Sequence, residues 1–263
     1  MSTVRITHLG GPTTLIEVGP WRLLTDPTFD PPGRRYGFGW GTSSRKLAGP
    51  ARDPASIGVI DAVLLSHDHH ADNLDDAGRA LLPRARTVIT TVSGARRLAG
   101  NARGLADWER TTLERPEAMP ITVTATPCRH GPPGSRPIVG DVIGFALEWT
   151  GQEHGAFWIT GDTVLYPGVR EVGARFRIGT ILLHLGAVKF SLTGPLRYTM
   201  TAREAVELCG LINPRTIIPV HYEGWSHFSE QRAAIEEEFA RAPEALRRAV
   251  RWIPLGETLE LEV

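Results

Sequence analysis

The alternation of apolar and polar residues predicts a chain that begins with short strands and continues with strands and helices mixed. Strand patterns lie at residues 4–9, 13–18, 21–25, 59–65, 86–92, 121–126, 142–149, 156–160, 180–185, 216–220 and 258–262. Helical spacing and N-cap residues predict helices between 72 and 83 and at 94–99, 201–211 and 229–242. This order predicts the α/β class, with helices packed on layers of sheet.

The segment 30–54 interrupts the pattern, because it is rich in proline, glycine and arginine and has no periodicity. We interpret it as a long loop, and long loops in compact domains are often functional. No low-complexity tract or linker divides the rest of the chain. A length of 263 residues lies near the upper limit for one hydrophobic core, so we expect a single domain over 1–263.

Composition narrows the functional classes. Lysine plus arginine number 29 and aspartate plus glutamate number 29, and this balance argues against a nucleic-acid binder. No apolar run approaches the roughly 18 residues of a membrane span, and the first residues lack a secretory signal pattern. Two cysteines cannot build a disulfide framework. We therefore expect a cytoplasmic protein with a small-molecule substrate and leave its oligomeric state, homo-oligomer included, open.

Three histidines and an aspartate crowd into the loop after the predicted strand 59–65. These residues are His67, His69, His70 and Asp72. Sites of α/β proteins lie beyond the carboxyl ends of strands, and imidazole and carboxylate are common metal ligands. In an extended segment His67 and His69 face the same side. The cluster predicts a metal site.

Three later predicted strands also end at ligand-type residues, namely His130, Asp162 and His221. Because such strand ends meet at one edge of a sheet, we expect one metal centre built from four strand ends. A centre with an open position acidifies a bound water, which then attacks an ester, lactone, amide or phosphodiester.

Three other histidines receive weaker assignments. His184 ends the predicted strand 180–185 and could contact substrate or donate a proton, or it could be structural. His154 and His227 are interpreted as surface or loop residues.

These motifs carry a family resemblance. The strings LTDP, SHDHHADNLD, TPCRH, ITGDT and IPVH occur in this order along the chain. In order and spacing they resemble the metallo-β-lactamase superfamily, whose first motif is HxHxDH. Within it they resemble the branch of ascorbate-6-phosphate lactonase (UlaG-like proteins) and the N-acylphosphatidylethanolamine phospholipase D. The resemblance implies a four-layer αββα sandwich of two mixed sheets.

The resemblance also implies roles for individual residues. It implies that His67, His69 and His130 bind a first metal and that Asp162 bridges two metals. Asp72 and His221 would belong to the second metal. Asp26, in the LTDP string, would support the ligands from behind.

One part of the first motif departs from the family pattern. Asn73 stands where the family has a histidine for the second metal, and one extra residue separates His69 from Asp72. If the loop shifts by one residue, His70 replaces His69 or turns toward the second metal. One or two ions therefore remain open. Zn²⁺ is the expected ion, with Mn²⁺ or Fe²⁺ as alternatives.

We expect a metal-dependent hydrolase acting on a lactone, ester or phosphodiester. In this hypothesis metal-bound hydroxide attacks, Asp72 orients the water or acts as base, and the metal with His184 stabilises the oxyanion. Two alternatives stay open. One is an iron-dependent oxidoreductase on the same fold, and the other is a metal-binding protein that has lost catalysis.

Overall fold

The computed structural model describes residues 2–263, which form two main sheets with helices on their outer faces and a separate two-stranded sheet. The strands are β1 Thr3–Gly10, β2 Thr13–Val18, β3 Trp21–Thr25, β4 Arg35–Gly37, β5 Ser43–Arg45, β6 Ala62–Leu64, β7 Thr87–Thr91, β8 Ala102–Leu105, β9 Arg110–Leu113, β10 Ile121–Pro127, β11 Ile143–Glu148, β12 Ala156–Ile159, β13 Ile178–His184, β14 Thr216–Val220 and β15 Thr258–Glu262. The α-helices are α1 Asp76–Leu81, α2 Val92–Leu98, α3 Arg136–Val139, α4 Pro167–Arg175, α5 Ala202–Ile212, α6 Arg232–Ala240 and α7 Glu244–Ala249.

Both main sheets mix antiparallel and parallel pairs. The first has the order β15-β1-β2-β3-β6-β7-β8, and the second has the order β14-β13-β12-β11-β10-β9. In the first sheet β3, β6, β7 and β8 run parallel, and in the second β12, β13 and β14 do. Parallel neighbours place their carboxyl ends at one edge, so the loops after these strands meet there.

Apolar side chains fill three layers of core. Residues from both sheets, such as Ile16, Leu64, Phe145 and Leu182, pack in the space between them. A second cluster joins the outer face of the β12–β14 region to helices α4–α7, and a third lies under α1 on the outer face of the first sheet. The expected αββα sandwich is confirmed.

The segment 30–54 is more ordered than the predicted loop. It contains the β4–β5 hairpin, and its Lys46 ammonium lies 2.7 Å from Asp75 Oδ2. The Lys46 and Asp75 side chains are 3% and 0% exposed, and Asp75 also accepts the backbone N–H groups of Phe29 and Asp30. Because a buried charge needs a partner, this pair ties the segment to the loop that carries the histidine cluster.

Within residues 2–263, none of the helices combines the length and apolar character needed to cross a bilayer.

Candidate metal centre

Strand ends deliver the predicted ligand residues to one edge of the two sheets. His67 follows β6, His130 follows β10, Asp162 follows β12 and His221 follows β14. The backbone is unusual at the last of these, since His221 has a φ of 58° and donates its N–H to the Gly11 carbonyl. A non-glycine residue in the left-handed region is costly and is typical of functional sites.

The position of Asp162 depends on the residue before it, Gly161. Gly161 has a φ of 63°, and a Cβ there would lie 2.7 Å from the Ile143 carbonyl oxygen. Only glycine meets both demands, so Gly161 lets the chain turn tightly out of β12 and place the Asp162 carboxylate at the site.

Three buried imidazoles form the histidine group, which consists of His67, His70 and His130. Nε2 of His67 and Nε2 of His130 each lie 3.1 Å from Nδ1 of His70. Two nitrogens bound to one tetrahedral Zn²⁺ at its usual bond length lie about 3.3 Å apart. The spacing of this group therefore fits a single tetrahedral ion.

Two of the three outward-facing nitrogens of this group have hydrogen-bond partners. His130 Nδ1 donates to the Tyr198 carbonyl oxygen at 2.7 Å, and His67 Nδ1 lies 3.0 Å from the Ser66 hydroxyl. The first bond fixes the tautomer of His130, so that its Nε2 presents a lone pair to the group. Such outer partners orient histidine ligands in metal sites.

Burial keeps these imidazoles neutral. It lowers the pKa of His70 to about 4 and that of His130 to about 3, and neighbouring imidazoles contribute to the His130 shift. Burial, with His70 and His130 beside it, also holds the pKa of His67 well below its usual range. Neutral imidazole is the form that binds metal, so the group is ready at neutral pH.

The structure brings His70 and not His69 to His67 and His130. The His69 side chain is 28% exposed, and its Nδ1 lies 3.6 Å from Asp68 and 3.4 Å from Arg97. Arg97 in turn binds both carboxylate oxygens of Asp68. The extra residue is thus absorbed as an outward turn at 68–69, and the extended backbone assumed for His67 and His69 does not occur.

A second group contains two carboxylates and one imidazole, from Asp72, Asp162 and His221. The two ring nitrogens of His221 face different carboxylates. Nε2 lies 3.4 Å from Asp72 Oδ2, and Nδ1 lies 3.3 Å from Asp162 Oδ1. All three residues are buried, so the site holds negative charge away from water.

The two carboxylates of this group differ in proton affinity. Burial raises the pKa of Asp162 well above its usual value, and the charges of Asp72 and Asp26 add to the effect. Burial opposes ionisation of Asp72 as well, but the imidazoles of His221 and His227 outweigh it and hold its pKa well below the usual range. Asp72 is therefore the stable anion of the pair.

Asn73 and Asp26 lie behind the ligand-type residues. With its amide turned to donate, Asn73 Nδ2 lies 3.2 Å from Asp162 Oδ2 and 3.3 Å from Asp72 Oδ1. Asp26 accepts the Ser66 N–H at 2.6 Å, and its own φ is 30°. These contacts orient the carboxylates and fix the start of the histidine loop.

His184 lies deeper than a substrate-contacting residue requires. It is fully buried, with Nε2 3.5 Å from Asp26 Oδ2 and Nδ1 3.3 Å from the Thr160 hydroxyl. It lines neither of the two cavities that reach His130. This burial favours a positioning role over the predicted contact with substrate.

His227 was interpreted as a surface or loop residue; it lies in the loop after β14, but the expectation of a surface position is wrong. It is 4% exposed, and its Nε2 lies 3.1 Å from Asp72 Oδ2. The ring is enclosed by aromatic side chains, stacked on Trp225 and edge-on to Phe38 and Phe228. The sequence signal was the string WSHF, a histidine set between large aromatics in a segment without periodicity.

A narrow pocket lies over the two groups. His70, Asp72 and His130 line it together with apolar and aromatic side chains, which are Phe38, Trp40, Ile138, Val139, Val188, Phe190 and Tyr198. A second cavity of about 600 Å³ shares His130 and Val139 with it. The two groups are thus reached through a mostly apolar surface.

Unsatisfied buried atoms test whether these residues fit a metal ion. Asp162 Oδ1 and both ring nitrogens of His221 and of His227 are buried without a hydrogen-bond partner in the described part of the chain. Buried polar atoms are nearly always paired, so this concentration needs an explanation. A divalent cation satisfies such nitrogen and oxygen donors together, and the residues fit the ion that the motifs imply.

Comparison with known proteins identifies the family of the chain. Residues 21–222 match the family model described as "Beta-lactamase superfamily domain". A "UPF0173 metal-dependent hydrolase" of Deinococcus radiodurans is 29% identical over 98% of this chain and 100% of its own length.

Solved structures share the fold at low sequence identity. A possible metal-dependent hydrolase from Veillonella parvula has a TM-score of 0.82 at 19% identity, covering 98% of this chain and 99% of that one. An isothiocyanate hydrolase from Delia radicum gut bacteria has a TM-score of 0.80 at 19% identity, covering 98% of this chain and 100% of that one. On the match of the family model, the chain belongs to the β-lactamase superfamily.

Proposed function

We propose that this protein is a metal-dependent hydrolase of small, uncharged esters or lactones. The observation that carries the proposal is the convergence of three buried imidazoles, with nitrogens of His67 and His130 each 3.1 Å from His70 Nδ1, beside a buried group of two carboxylates and an imidazole. The similarity to a relative named as a metal-dependent hydrolase supports it.

The residues divide the chemical work. His67, His70 and His130 would hold one ion, and Asp72, Asp162 and His221 would hold a second. A bound divalent ion supplies Lewis acidity and lowers the pKa of a coordinated water toward 7. Because the pKa of Asp72 is held well below its usual range, Asp72 orients the nucleophile better than it accepts a proton.

The pocket lining favours a neutral substrate. Among the described residues that line it, none is lysine or arginine. Phosphodiester sites normally use such cations to bind the phosphate oxygens, so the lining favours an ester or lactone with an apolar group. In the adjoining cavity Arg136 is paired with Asp141, and the Arg129 guanidinium lies over the Tyr166 ring.

Zn²⁺ is the proposed ion, since three imidazoles at this spacing suit its tetrahedral preference. The carboxylates of the second group would also accept Mn²⁺ or Fe²⁺. Cys128 and Cys209 are both free thiols, in keeping with the proposed cytoplasmic setting.

The test is turnover after metal analysis. Protein purified without added metal is assayed for bound ions, stripped with a chelator, and reloaded with Zn²⁺, Mn²⁺ or Fe²⁺. A panel of aryl esters, lactones, benzyl isothiocyanate and bis-p-nitrophenyl phosphate follows. We expect ester or lactone turnover that disappears on chelation and returns with metal. Bound iron with no hydrolysis by any loaded form would overturn the proposal in favour of the oxidoreductase alternative.

A further inference from the structure

The His227 imidazole lies beside the second group, which consists of Asp72, Asp162 and His221. Its Nε2 lies 3.1 Å from Asp72 Oδ2, and the same oxygen lies 3.4 Å from His221 Nε2. These separations match those inside the histidine group, and they are the separations of ligands that share one ion.

The direction of the His227 ring distinguishes a ligand from a hydrogen-bond donor. At 3.1 Å an N–H aimed at the carboxylate would form a hydrogen bond, yet neither ring nitrogen of His227 has a hydrogen-bond partner among residues 2–263. The nitrogen therefore lies beside the Asp72 oxygen without aiming at it. Two ligands of one ion have this arrangement, because each directs its lone pair at the ion.

The charge around Asp72 also calls for a cation. Asp26, Asp72 and Asp162 are all buried in this region, and the only buried lysine, Lys46, is paired with Asp75 among the described residues. Three carboxylates without a buried cation are costly, and a divalent ion offsets that cost. Asn73 faces Asp162 and Asp72 with an uncharged amide, so it supplies no positive charge.

The aromatic surround suits a fixed ligand. The ring of His227 packs between Trp225, Phe38, Phe190 and Phe228, with centroids 4.6–5.9 Å away. These contacts hold the imidazole in one orientation and keep water from its nitrogens. Such preorganisation reduces the entropy lost when a ligand binds.

We propose that His227 is a ligand of the second ion, which it would bind beside Asp72. The inference rests on the proposed function, because it assumes that this group binds an ion. It adds a residue that the HxHxDH motif does not contain, carried by the loop after β14.

The experiment is a Co²⁺ titration of the metal-free protein, followed by visible absorption and by metal counting after gel filtration. We expect wild type to bind two equivalents. In His227→Ala the first equivalent should be unchanged, and the second should bind more than ~100-fold more weakly, beyond the usual effect of removing an outer partner. The visible bands of the second equivalent should also change shape, because its ligand set changes.

Two further variants complete the test. His227→Gln keeps a hydrogen-bond donor in a similar volume, so it should lose the second ion as His227→Ala does if His227 is a ligand. His154→Ala removes a histidine remote from both groups and should leave both equivalents unchanged. Far-ultraviolet circular dichroism confirms that each variant is folded.

The outcomes separate the two proposals. If His227→Gln binds the second equivalent with the wild-type spectrum, or if both variants weaken it less than tenfold, His227 is not a ligand and the inference fails. In that case the hydrolase proposal stands. If wild type binds no Co²⁺ at all, the proposed function fails together with the inference.

Discussion

The two ligand groups differ in how completely the protein satisfies them. In the histidine group, two of the three imidazoles have outer partners, Ser66 and Tyr198, and burial keeps all three neutral. In the carboxylate group, Asp162 Oδ1 and both nitrogens of His221 have no hydrogen-bond partner among the described residues. The first group resembles a finished ligand set, whereas the second depends on a cation to balance its charge.

The difference predicts unequal roles for the two sites. A preorganised neutral group pays little to bind an ion, so we expect it to hold metal first and tightly. The acidic group gains more from charge neutralisation, but it must hold two carboxylates close together until the ion arrives. Three predictions test this contrast, from the largest expected effect to the smallest.

The largest effect compares two adjacent histidines. His70→Ala should lower turnover of the best substrate by ~10³-fold or more, because Lewis-acid activation contributes several kcal/mol. His69→Ala should stay within about twofold, since His69 is a partly exposed neighbour of Asp68 and Arg97. Steady-state rates and bound metal per chain measure both. Equal losses in the two variants would contradict the placement of His70 in the group.

A smaller effect is expected for Asp162→Asn, which should stabilise the metal-free protein but weaken its binding of the second ion. Burial and the charges of Asp72 and Asp26 raise the pKa of Asp162, so its ionised form destabilises the metal-free fold. Asp162→Asn should raise the free energy of unfolding of metal-free protein at pH 7 by ~1–3 kcal/mol, the scale of a relieved buried polar mismatch. The same variant should bind the second ion more weakly.

Urea denaturation and metal titration of the Asp162→Asn variant measure the two effects. Glu114→Gln removes an exposed carboxylate next to the start of β10, away from the end of that strand that leads to His130, and serves as a control for charge alone. A variant that loses stability without metal would contradict the idea that the carboxylates repel.

The smallest effect is the pH dependence of metal-free stability. The folded pKa of His70 is about 4 and that of His130 about 3, both below the unfolded value of 6.5. The unfolded chain therefore takes up protons first, and stability falls as the pH drops from 6.5 toward 4. Asp162 has the opposite sign, because its raised pKa reduces stability as the pH rises above 3.8.

Urea denaturation midpoints from pH 4.5 to 8 measure two limbs of the stability curve. In the acidic limb stability falls as the pH drops, and in the second limb stability falls as the pH rises. His70→Asn should flatten the acidic limb, and Asp162→Asn should reduce the loss of stability as the pH rises. With saturating Zn²⁺ both limbs should shrink, since bound ligands no longer exchange protons freely. An acidic limb that is unchanged in His70→Asn would show that other groups control it.

Much of the fold could be predicted from local patterns. The strands at 13–18, 21–25, 216–220 and 258–262 have the predicted bounds, because each is a clear alternating or apolar run. The short strands β4, β5, β8 and β9 and the helix α4 were not predicted. Each of these strands has three or four residues, too few for a period to emerge, and α4 begins at a proline after an irregular turn.

The candidate site was also predictable from the sequence only in part. Ligand-type residues at strand ends could be found because strand prediction and residue chemistry agree there. The choice between His69 and His70 could not be made, since it depends on a turn held by Arg97 from α2. His227 was missed because its burial comes from Phe38 and Phe190, distant in sequence and brought together by the fold.

The outward turn at residues 68–69 affects how relatives of this protein should be searched for. Counted forward from His67, the spacing of the first motif departs from HxHxDH by one residue. Counted backward from Asp72, the step of two residues to the next histidine is intact. In this chain the extra residue therefore lies upstream of His70, and the His-x-Asp half of the string keeps its spacing. A search pattern that fixes His-x-Asp and leaves the upstream gap variable would recover chains that a rigid pattern rejects.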